Sequence, residues 1–213
     1  MILSPLAFFL PVSKLLLSRH CSKKNVDPND LKNYRPVSNL PFLSKITERI
    51  VLSQLNDYLT SNKLFSTLKS TYRPHHSTET ALLKILNDLT ALVNGKICIL
   101  TPIALSPAFD TIVYNVVLRR LEYTFGISDS ALSWFRSYLS DRTQILTVNG
   151  LRSDEAPLRF GVPQGSVLGT VLIVLYTQPL FGLITKHSIQ HHAFADDKQL
   201  YKGTVPHQIQ TTT

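Results

Sequence analysis

Two neighbouring carboxylates, Asp196 and Asp197, are the residues of this chain best suited to chemistry. They stand between two short runs rich in strand-forming residues, so the sequence predicts them at the turn of a hairpin. Adjacent carboxylates repel each other unless a cation lies between them, and a divalent ion bound by oxygen ligands is the obvious candidate. The alternative is an ordinary polar turn, because aspartate is a good turn former.

A glycine-rich loop precedes this turn in the chain. The segment Gly161-Val-Pro-Gln-Gly-Ser-Val-Leu-Gly169 places Pro163 and Gln164 between two glycines, where the backbone can approach a flat ligand closely. The loop lacks the Gly-Lys-Ser/Thr end of a phosphate-binding P-loop. A simple entry turn into the following apolar helix is the alternative interpretation.

Histidines and cysteines give weaker signals for a metal site. His75-His76 and His191-His192 are adjacent pairs, and neighbouring side chains on a strand point to opposite faces, so zinc is the poorer interpretation. The two cysteines, Cys21 and Cys98, exclude a disulfide scaffold and a cysteine-rich zinc site. They favour a reducing, intracellular location, in the cytoplasm or the nucleus.

The elements that must position these residues are predicted from apolar spacing and turn signals. Helices are predicted after a Ser44 cap, from Ser77 to an Asn94-Gly95 stop, across Val113, Val117 and Leu121, after an Asp129 cap, and over Val171–Leu183. A strand is predicted over Lys96–Leu105 and is interpreted as buried despite Pro102. A hairpin is predicted from Thr143–Val148, with a turn at Asn149-Gly150 and a return strand through Leu158–Phe160. Two further strands are predicted on both sides of the aspartates within Ser188–Tyr201. This mixture lacks strict βαβ alternation and predicts an α+β fold.

Composition limits the class of protein. The 213 residues are 44% hydrophobic and 17% charged, with 22 basic against 14 acidic side chains and a net charge of +8, as for one domain or a fragment of a larger one. The first 80 residues hold 11 Lys or Arg against 5 Asp or Glu. Such a basic half favours a polyanionic partner such as nucleic acid. A solvated basic face without a partner accounts for the charge equally well.

Three segments are predicted along the chain: residues 1–26 as a ragged N-terminal segment and linker, 27–201 as the main domain, and 202–213 as a polar tail. The apolar stretch Met1–Leu17 is interrupted by Pro5, Pro11 and Lys14. It therefore predicts neither a membrane span nor a secretory signal.

Six motifs follow each other in order along the main domain. They are Asn33–Ser38, Tyr72–Thr80, Leu105–Asp110, Trp134–Leu139, Gly161–Gly169 and Phe194–Asp197. Together they resemble the reverse transcriptases of LINE-type (non-LTR) retrotransposons, in a degenerate fragment that matches from about Asp27 to Tyr201. The resemblance implies a right-handed polymerase fold with fingers and palm subdomains only, since 213 residues leave no room for a thumb.

The same resemblance implies two-metal nucleotidyl transfer, in which three carboxylates hold two Mg²⁺ ions about 3.5–4 Å apart. Asp196 and Asp197 match two of these carboxylates, and so become the catalytic and metal-binding pair. The third begins the family motif Asp-Leu-Ser-Ala-Ala-Phe-Asp, which here is Ala104-Leu-Ser-Pro-Ala-Phe-Asp110. Alanine occupies the third ligand position, and Asp110 lies about 20 Å further along an extended strand. We therefore expect catalysis to be lost.

Five further residues match nucleotide- or template-binding positions of the family. Arg35 and Arg73 match fingers motifs, Phe109 matches the aromatic gate that selects deoxynucleotides, and Gln164 and Gly165 match the loop against the templating base pair. The alternatives are surface arginines beside proline turns and a core phenylalanine. The implied partners are an RNA template, a DNA primer and dNTPs, without a membrane partner.

Three hypotheses follow for function. The first is an RNA-directed DNA polymerase domain. The second is a non-catalytic nucleic-acid-binding remnant that uses its basic half against phosphates. The third is a retrotransposon fragment without a selected role, which would expose apolar surface and aggregate.

Overall fold

A computed structural model describes residues 15–21, 27, 34–64, 77–93, 97–104, 109–148, 150–194 and 197–204, with the backbone alone at 15–21, 34–36, 104, 148, 194 and 197. The chain divides into two compact units. Unit 1 comprises Met1–Leu64 and Pro107–Tyr176, and unit 2 comprises Phe65–Ser106 and Thr177–Thr213.

Unit 1 contains one sheet built from two separate stretches of the chain. Its strands are β1 (Leu15–Cys21), β2 (Tyr34–Asn39), β4 (Thr143–Val148), β5 (Leu151–Arg152) and β6 (Ala156–Pro157). The strand order is β2-β1-β4-β5, and β6 also pairs with β4. β1 runs antiparallel to β2 and parallel to β4. The parallel pair joins segments more than a hundred residues apart in the chain, so this sheet ties the start of the chain to its middle.

The predicted hairpin after β4 is confirmed at its turn and differs in its return. Gly150 has a φ of +81°, which suits the second position of an Asn-Gly turn. The return pairs with β4 through β5 and β6 rather than through Leu158–Phe160. Between β5 and β6 the Ser153 hydroxyl accepts from Leu146 N–H at 2.9 Å, and after Pro157 the Leu158 N–H donates to the Arg142 carbonyl at 2.8 Å.

The helices of unit 1 are α1 (Phe42–Ser61), α3 (Tyr114–Tyr123), α4 (Asp129–Leu139) and the first part of α5 (Gly169–Lys186). Their fully buried side chains include Val51, Leu55, Leu121, Phe135 and Leu172. Two predicted caps are misplaced. Helix α1 begins before Ser44, with Pro41 at the N-cap, and Ser128 rather than Asp129 caps α4. Pro41 makes no side-chain hydrogen bond to the helix. The usual preference for capping side chains therefore does not predict it at this position.

Unit 2 is a three-stranded antiparallel sheet with a helix on each face. Its strands are β3 (Ile97–Ala104), β7 (Gln190–Phe194) and β8 (Asp197–Thr204), and its first helix is α2 (Thr78–Leu92). The strand order is β3-β8-β7. Ser77 caps α2 through a reciprocal pair of bonds with Thr80, as the sequence predicts for Ser77.

The two faces of this sheet carry different contacts. On one face the Tyr201 hydroxyl donates to Asp88 of α2. On the other face Ala193 packs against Phe181 and Ile184 from the second part of α5. Both helices therefore bury a face of the sheet.

The prediction that β3 is buried is wrong. Ile99 is 51% exposed and Leu100 is 47% exposed, because β3 is the edge strand of the sheet. Its edge position also explains how Pro102 is accommodated, since a missing donor is tolerated where no further strand pairs.

Helix α5 meets the length and apolarity of a membrane span, with a mean hydropathy of 1.2 over 18 residues. Its residues Val171–Leu175 are buried in unit 1, and Phe181 and Ile184 are buried in unit 2. Of this window, 44% is buried inside the protein, so its apolar side chains contribute to the cores of both units.

Candidate functional site

The start of the glycine-rich loop is fixed by the turn at the end of the Leu105–Asp110 motif. Val162 N–H donates to the Phe109 carbonyl at 2.7 Å, and Gly161 N–H donates to the Ile112 carbonyl at 2.8 Å. Gly161 has a φ of +86°, and a Cβ atom there would lie 2.7 Å from the Phe109 carbonyl oxygen. Both its conformation and this approach require glycine. The structure thus brings Phe109 and Asp110 beside the loop, and Phe109 is half-buried.

The middle of the loop is fixed to strand β2. Ser38 N–H donates to the Gln164 carbonyl at 2.8 Å. Gly165 has a φ of +105°, and a Cβ atom there would lie 3.3 Å from the Ser38 carbonyl oxygen. Strand β2 also carries Arg35, whose backbone pairs with His20. The loop and the strand that carries Arg35 are therefore neighbours.

A cavity of about 550 Å³ opens against this loop within unit 1. Its wall combines polar, charged and apolar groups; the residues are Ser38, Asp110, Gln144, Leu146, Ser153, Ala156, Pro157, Leu158, Arg159, Phe160, Gly161, Val162, Pro163 and Gln164. Phe160 is 56% exposed, so its ring is available for stacking. Partial burial raises the pKa of Asp110. The cavity therefore has the cation, the aromatic ring and the amide that suit a nucleotide or a nucleic-acid strand.

The end of the loop is held by Glu48 of α1, which none of the sequence motifs indicates. The Glu48 carboxylate accepts from Val167 N–H at 2.6 Å and from Leu168 N–H at 3.1 Å. Its side chain is 1% exposed. Burial raises the pKa of Glu48, and the two backbone bonds and the nearby Arg142 charge act in the opposite direction. Glu48 thus binds the free N–H groups ahead of α5, where a negative charge is favourable.

Arg142 is the buried cation of the same cluster. It is 4% exposed, and its guanidinium lies 4.7 Å from the centre of the Tyr138 ring. One signal in the sequence pointed to Glu48: it shares an i, i+3, i+7 stripe with Val51 and Leu55. A carboxylate within an apolar stripe needs a buried partner. The sequence does not reveal that this partner is a loop 119 residues away.

The carboxylate turn belongs to unit 2. Asp197 is the first residue of β8 and pairs with Phe194 of β7 and with Ala104 of β3. Opposite residues in an antiparallel pair have Cα atoms about 4.5–5.5 Å apart and share a face of the sheet. Residues 104 and 197 therefore share a face of the sheet. In this chain residue 104 is alanine.

The remaining predicted residues divide by location. Arg73, Asp196 and His75-His76 lie outside the described residues, and Asp110 lies in unit 1. His191 and His192 are both buried, and the His191 ring stacks on Phe181 with centres 4.9 Å apart. Burial lowers the pKa of His191. Within the part of the chain that the structure describes, no three His, Cys, Asp or Glu side chains group to hold a metal ion.

Known proteins are similar to this chain over most of its length. A family profile described as reverse transcriptase (RNA-dependent DNA polymerase) matches residues 21–212. The chain is 30% identical over 159 residues to the RNA-directed DNA polymerase from mobile element jockey of Drosophila melanogaster, and 31% identical over 150 residues to a probable RNA-directed DNA polymerase from transposon BS of the same species. These alignments cover 74% and 70% of this chain but 17% and 16% of the relatives.

Two solved telomerase structures share the fold. The telomerase from Candida albicans, solved with a TWJ fragment of telomeric RNA, matches with a TM-score of 0.60 at 14% identity, over 89% of this chain and 38% of that one. An apo telomerase from Candida tropicalis matches with a TM-score of 0.54 at 15% identity, over 80% of this chain and 41% of that one. At these identities the likeness concerns the fold.

Proposed function

Because the chain belongs to the reverse transcriptase family and has its α+β fingers-and-palm fold, we propose that it is a polymerase-related domain that binds nucleic acid and has lost nucleotidyl transfer. The observation that supports the loss of nucleotidyl transfer is the pairing of Ala104 with Asp197. It supports the alignment in which alanine occupies the third ligand position. Catalysis in such a site depends on every carboxylate that holds the two ions.

The donor set does not fit a two-metal centre. Asp196 and Asp197 supply carboxylates from one turn, and the methyl group of alanine offers no oxygen at position 104. Magnesium demands near-ideal octahedral geometry and oxygen ligands at about 2.0–2.1 Å. A pair of ions bound from a single hairpin lacks the bridging ligand that fixes their separation. The chain's own residues therefore account for binding and not for the chemical step.

Restoring the ligand tests this proposal. We expect Ala104→Asp to raise primer extension with Mg²⁺, an RNA template, a DNA primer and dNTPs by about three decades, equivalent to ~4 kcal/mol of transition-state stabilisation. Ala104→Asn is the matched control, since it has nearly the same shape without the charge. The gain should disappear in the double variant Ala104→Asp/Asp196→Asn. Equal rates in Ala104→Asp and Ala104→Asn would contradict the assignment of the loss to Ala104.

Nucleic-acid binding is supported by the cavity beside the loop and by the net charge of +8. Arg159 and Phe160 offer a phosphate contact and a stacking surface, and Gln164 lines the same cavity. The partners that these groups fit are a template–primer duplex and an incoming dNTP, with Phe109 as the gate residue. We place the chain inside the cell, in the cytoplasm or nucleus, where such partners occur.

The salt dependence of binding tests the proposal that the chain binds nucleic acid. Affinity for a fluorescent RNA–DNA hybrid should fall steeply between about 50 and 200 mM salt, because bound cations are released from the phosphates. Arg159→Gln should make the slope of log K against log salt shallower by about 0.9, the contribution of one phosphate contact. Arg152→Gln is the control, because Arg152 lies on the same hairpin outside the cavity wall. Binding that does not respond to salt would contradict the proposal.

A further inference from the structure

Asp110 is a carboxylate in the wall of the cavity that we assign to nucleic acid. Of the described residues that line this cavity, Asp110 is the one acid and Arg159 is the one base. No hydrogen bond or ion pair joins the Asp110 carboxylate to another described residue. Because a carboxylate repels phosphates, it would weaken nucleic-acid binding unless the strand offers it a hydrogen-bond donor.

The backbone of Asp110 packs against the start of the glycine-rich loop. A Cβ atom on Gly161 would lie 3.0 Å from the Asp110 Cα atom, and Val162 N–H donates to the carbonyl of the preceding Phe109 at 2.7 Å. The residue before Gly161 is Phe160. The carboxylate is therefore held on the same part of the wall as the stacking surface.

The cavity has room for one nucleotide unit of a strand. Its volume of about 550 Å³ lies within the range of about 300–1,000 Å³ that is usual for ligand sites. Arg159 and Phe160 are consecutive, so a phosphate and a base that they contact belong to one short stretch of strand. The sugar of that stretch lies between them, where Asp110, Gln144 and Ser153 supply the polar groups of the wall.

The sugar supplies a donor only in RNA. An ionised carboxylate accepts hydrogen bonds and donates none. Within a strand, ribose has a 2′-hydroxyl that can donate, whereas deoxyribose has no donor. Partial burial raises the pKa of Asp110, so its carboxylate is partly withdrawn from water. A hydrogen bond to a charged group is stronger in such surroundings than in water.

We propose that Asp110 accepts a hydrogen bond from a ribose 2′-hydroxyl, so that the cavity selects an RNA strand over a DNA strand. The inference rests on the proposed function, because it takes the cavity as the nucleic-acid site. Arg159 then contacts a phosphate, Phe160 stacks on a base and Asp110 recognises the sugar. A DNA strand leaves the carboxylate beside the phosphates without a donor.

The test compares four labelled single strands of equal length: RNA, DNA, 2′-fluoro RNA and 2′-O-methyl RNA. Each is made as oligo(U) and as oligo(A) and is titrated with the full-length chain at constant salt by fluorescence anisotropy. The two modified strands keep an RNA-like sugar shape but lack the hydroxyl donor. RNA should bind at least about tenfold more tightly than the other three, as expected for one hydrogen bond to a charged group.

Two alanine variants separate Asp110 from a general effect of charge. Asp110→Ala should bind the four strands equally, because the acceptor is gone. Asp154→Ala is the matched control, since it removes the same charge from an exposed residue outside the cavity wall, and it should keep the preference for RNA. Should Asp110→Ala not fold by circular dichroism, Asp110→Asn takes its place and should show a reduced preference.

Three results would overturn the inference. Equal affinity for RNA and 2′-O-methyl RNA would mean that the hydroxyl donor is not recognised. An undiminished RNA preference in the folded Asp110 variant would assign the preference to another residue. A preference seen with oligo(A) but not with oligo(U) would place the donor on a base rather than on the sugar.

The outcome is separable from that of the proposed function. Salt-dependent binding that is equal for RNA and DNA would reject the role of Asp110 and leave nucleic-acid binding in place. No salt-dependent binding to any of the strands would reject nucleic-acid binding itself, and the role of Asp110 with it.

Discussion

The glycine-rich loop of unit 1 and the carboxylate turn of unit 2 differ in what they retain. The loop keeps Gly161 against the Phe109 carbonyl, Gln164 bonded to Ser38, and Glu48 bonded to its last N–H groups. The sheet of unit 2 keeps its strand register, yet alanine faces Asp197 at the end of the ladder. The described backbone beside both motifs is regular, and under the proposed function only the second motif lacks a chemical group that its role requires.

The difference follows from what each motif requires. The loop is held by backbone donors and acceptors, which most substitutions leave in place. A metal centre needs particular oxygen atoms at one point, and a single change from aspartate to alanine removes them without disturbing the strand. Binding can therefore outlast catalysis in one chain. This contrast predicts that specific contacts stabilise the loop of unit 1 and that the sheet of unit 2 tolerates substitution.

The largest expected effect is on the carboxylate that supports the loop. Glu48→Ala removes the acceptor of the Val167 and Leu168 N–H groups, and leaving these two donors without it should lower the free energy of unfolding by about 3 kcal/mol. Chemical denaturation measures this. Glu48→Gln is the matched control, because its amide keeps a carbonyl oxygen for the same N–H groups, and it should lose less. Equal losses in the two variants would show that the loop does not depend on this acceptor.

The next effect concerns the close approach at the start of the loop. Gly161→Ala combines a positive φ with a Cβ 2.7 Å from the Phe109 carbonyl oxygen, and should lower the free energy of unfolding by about 3 kcal/mol. Gly150→Ala is matched in backbone, with a φ of +81°, but nothing lies within 4 Å of its Cβ. It should lose only about 1 kcal/mol. Equal losses would mean that Gly161 is required for its backbone conformation alone.

The smallest effect is a pH response of the sheet in unit 2. Burial lowers the pKa of His191 in the folded state, so the unfolded chain takes up a proton first as the pH falls. The stability that neutral His191 contributes is present above the unfolded pKa of about 6.5 and is lost as the pH falls through and below it. Thermal melting at successive pH values should show this loss in the parent and less of it in His191→Phe, which keeps the stack on Phe181. An unchanged pH profile in His191→Phe would assign the response to other groups.

The burial of Glu48 makes the free energy of unfolding depend on pH with the opposite sign. Its folded pKa is raised, so its contribution is favourable below the unfolded value of about 4.3 and is lost as the pH rises through the folded pKa. The two units are thus expected to respond to pH in opposite directions.

Much of the fold could be predicted from local pattern. Helix α2 with its Ser77 cap, the β7–β8 hairpin around the aspartates, and β4 with its Asn-Gly turn all follow from spacing and turn chemistry. The exposure of β3 could not, because an apolar run has the same sequence whether its strand lies at the edge or in the centre of a sheet. The split return after β4 coincides with the bond from Leu146 N–H to the Ser153 hydroxyl, which appears only once the partner strand is known.

The candidate site was predictable where a motif is contiguous. The Gly161–Gly169 segment and Ala104 were found in the sequence because neighbouring residues define them. Glu48 was not, because it acts through a contact with a loop 119 residues away. Arg142 was not either, because its burial depends on packing that neighbouring residues do not define.

Primer extension by the unmodified chain, compared with its Asp196→Asn variant, tests the loss of catalysis most directly. Both proteins receive the same RNA template, DNA primer and dNTPs, with Mg²⁺ as the only divalent ion. We expect equal, background incorporation, because the carboxylate turn no longer holds a working pair of ions. Incorporation by the unmodified chain above that of Asp196→Asn would contradict this expectation, since some other donor would then be filling the place of residue 104.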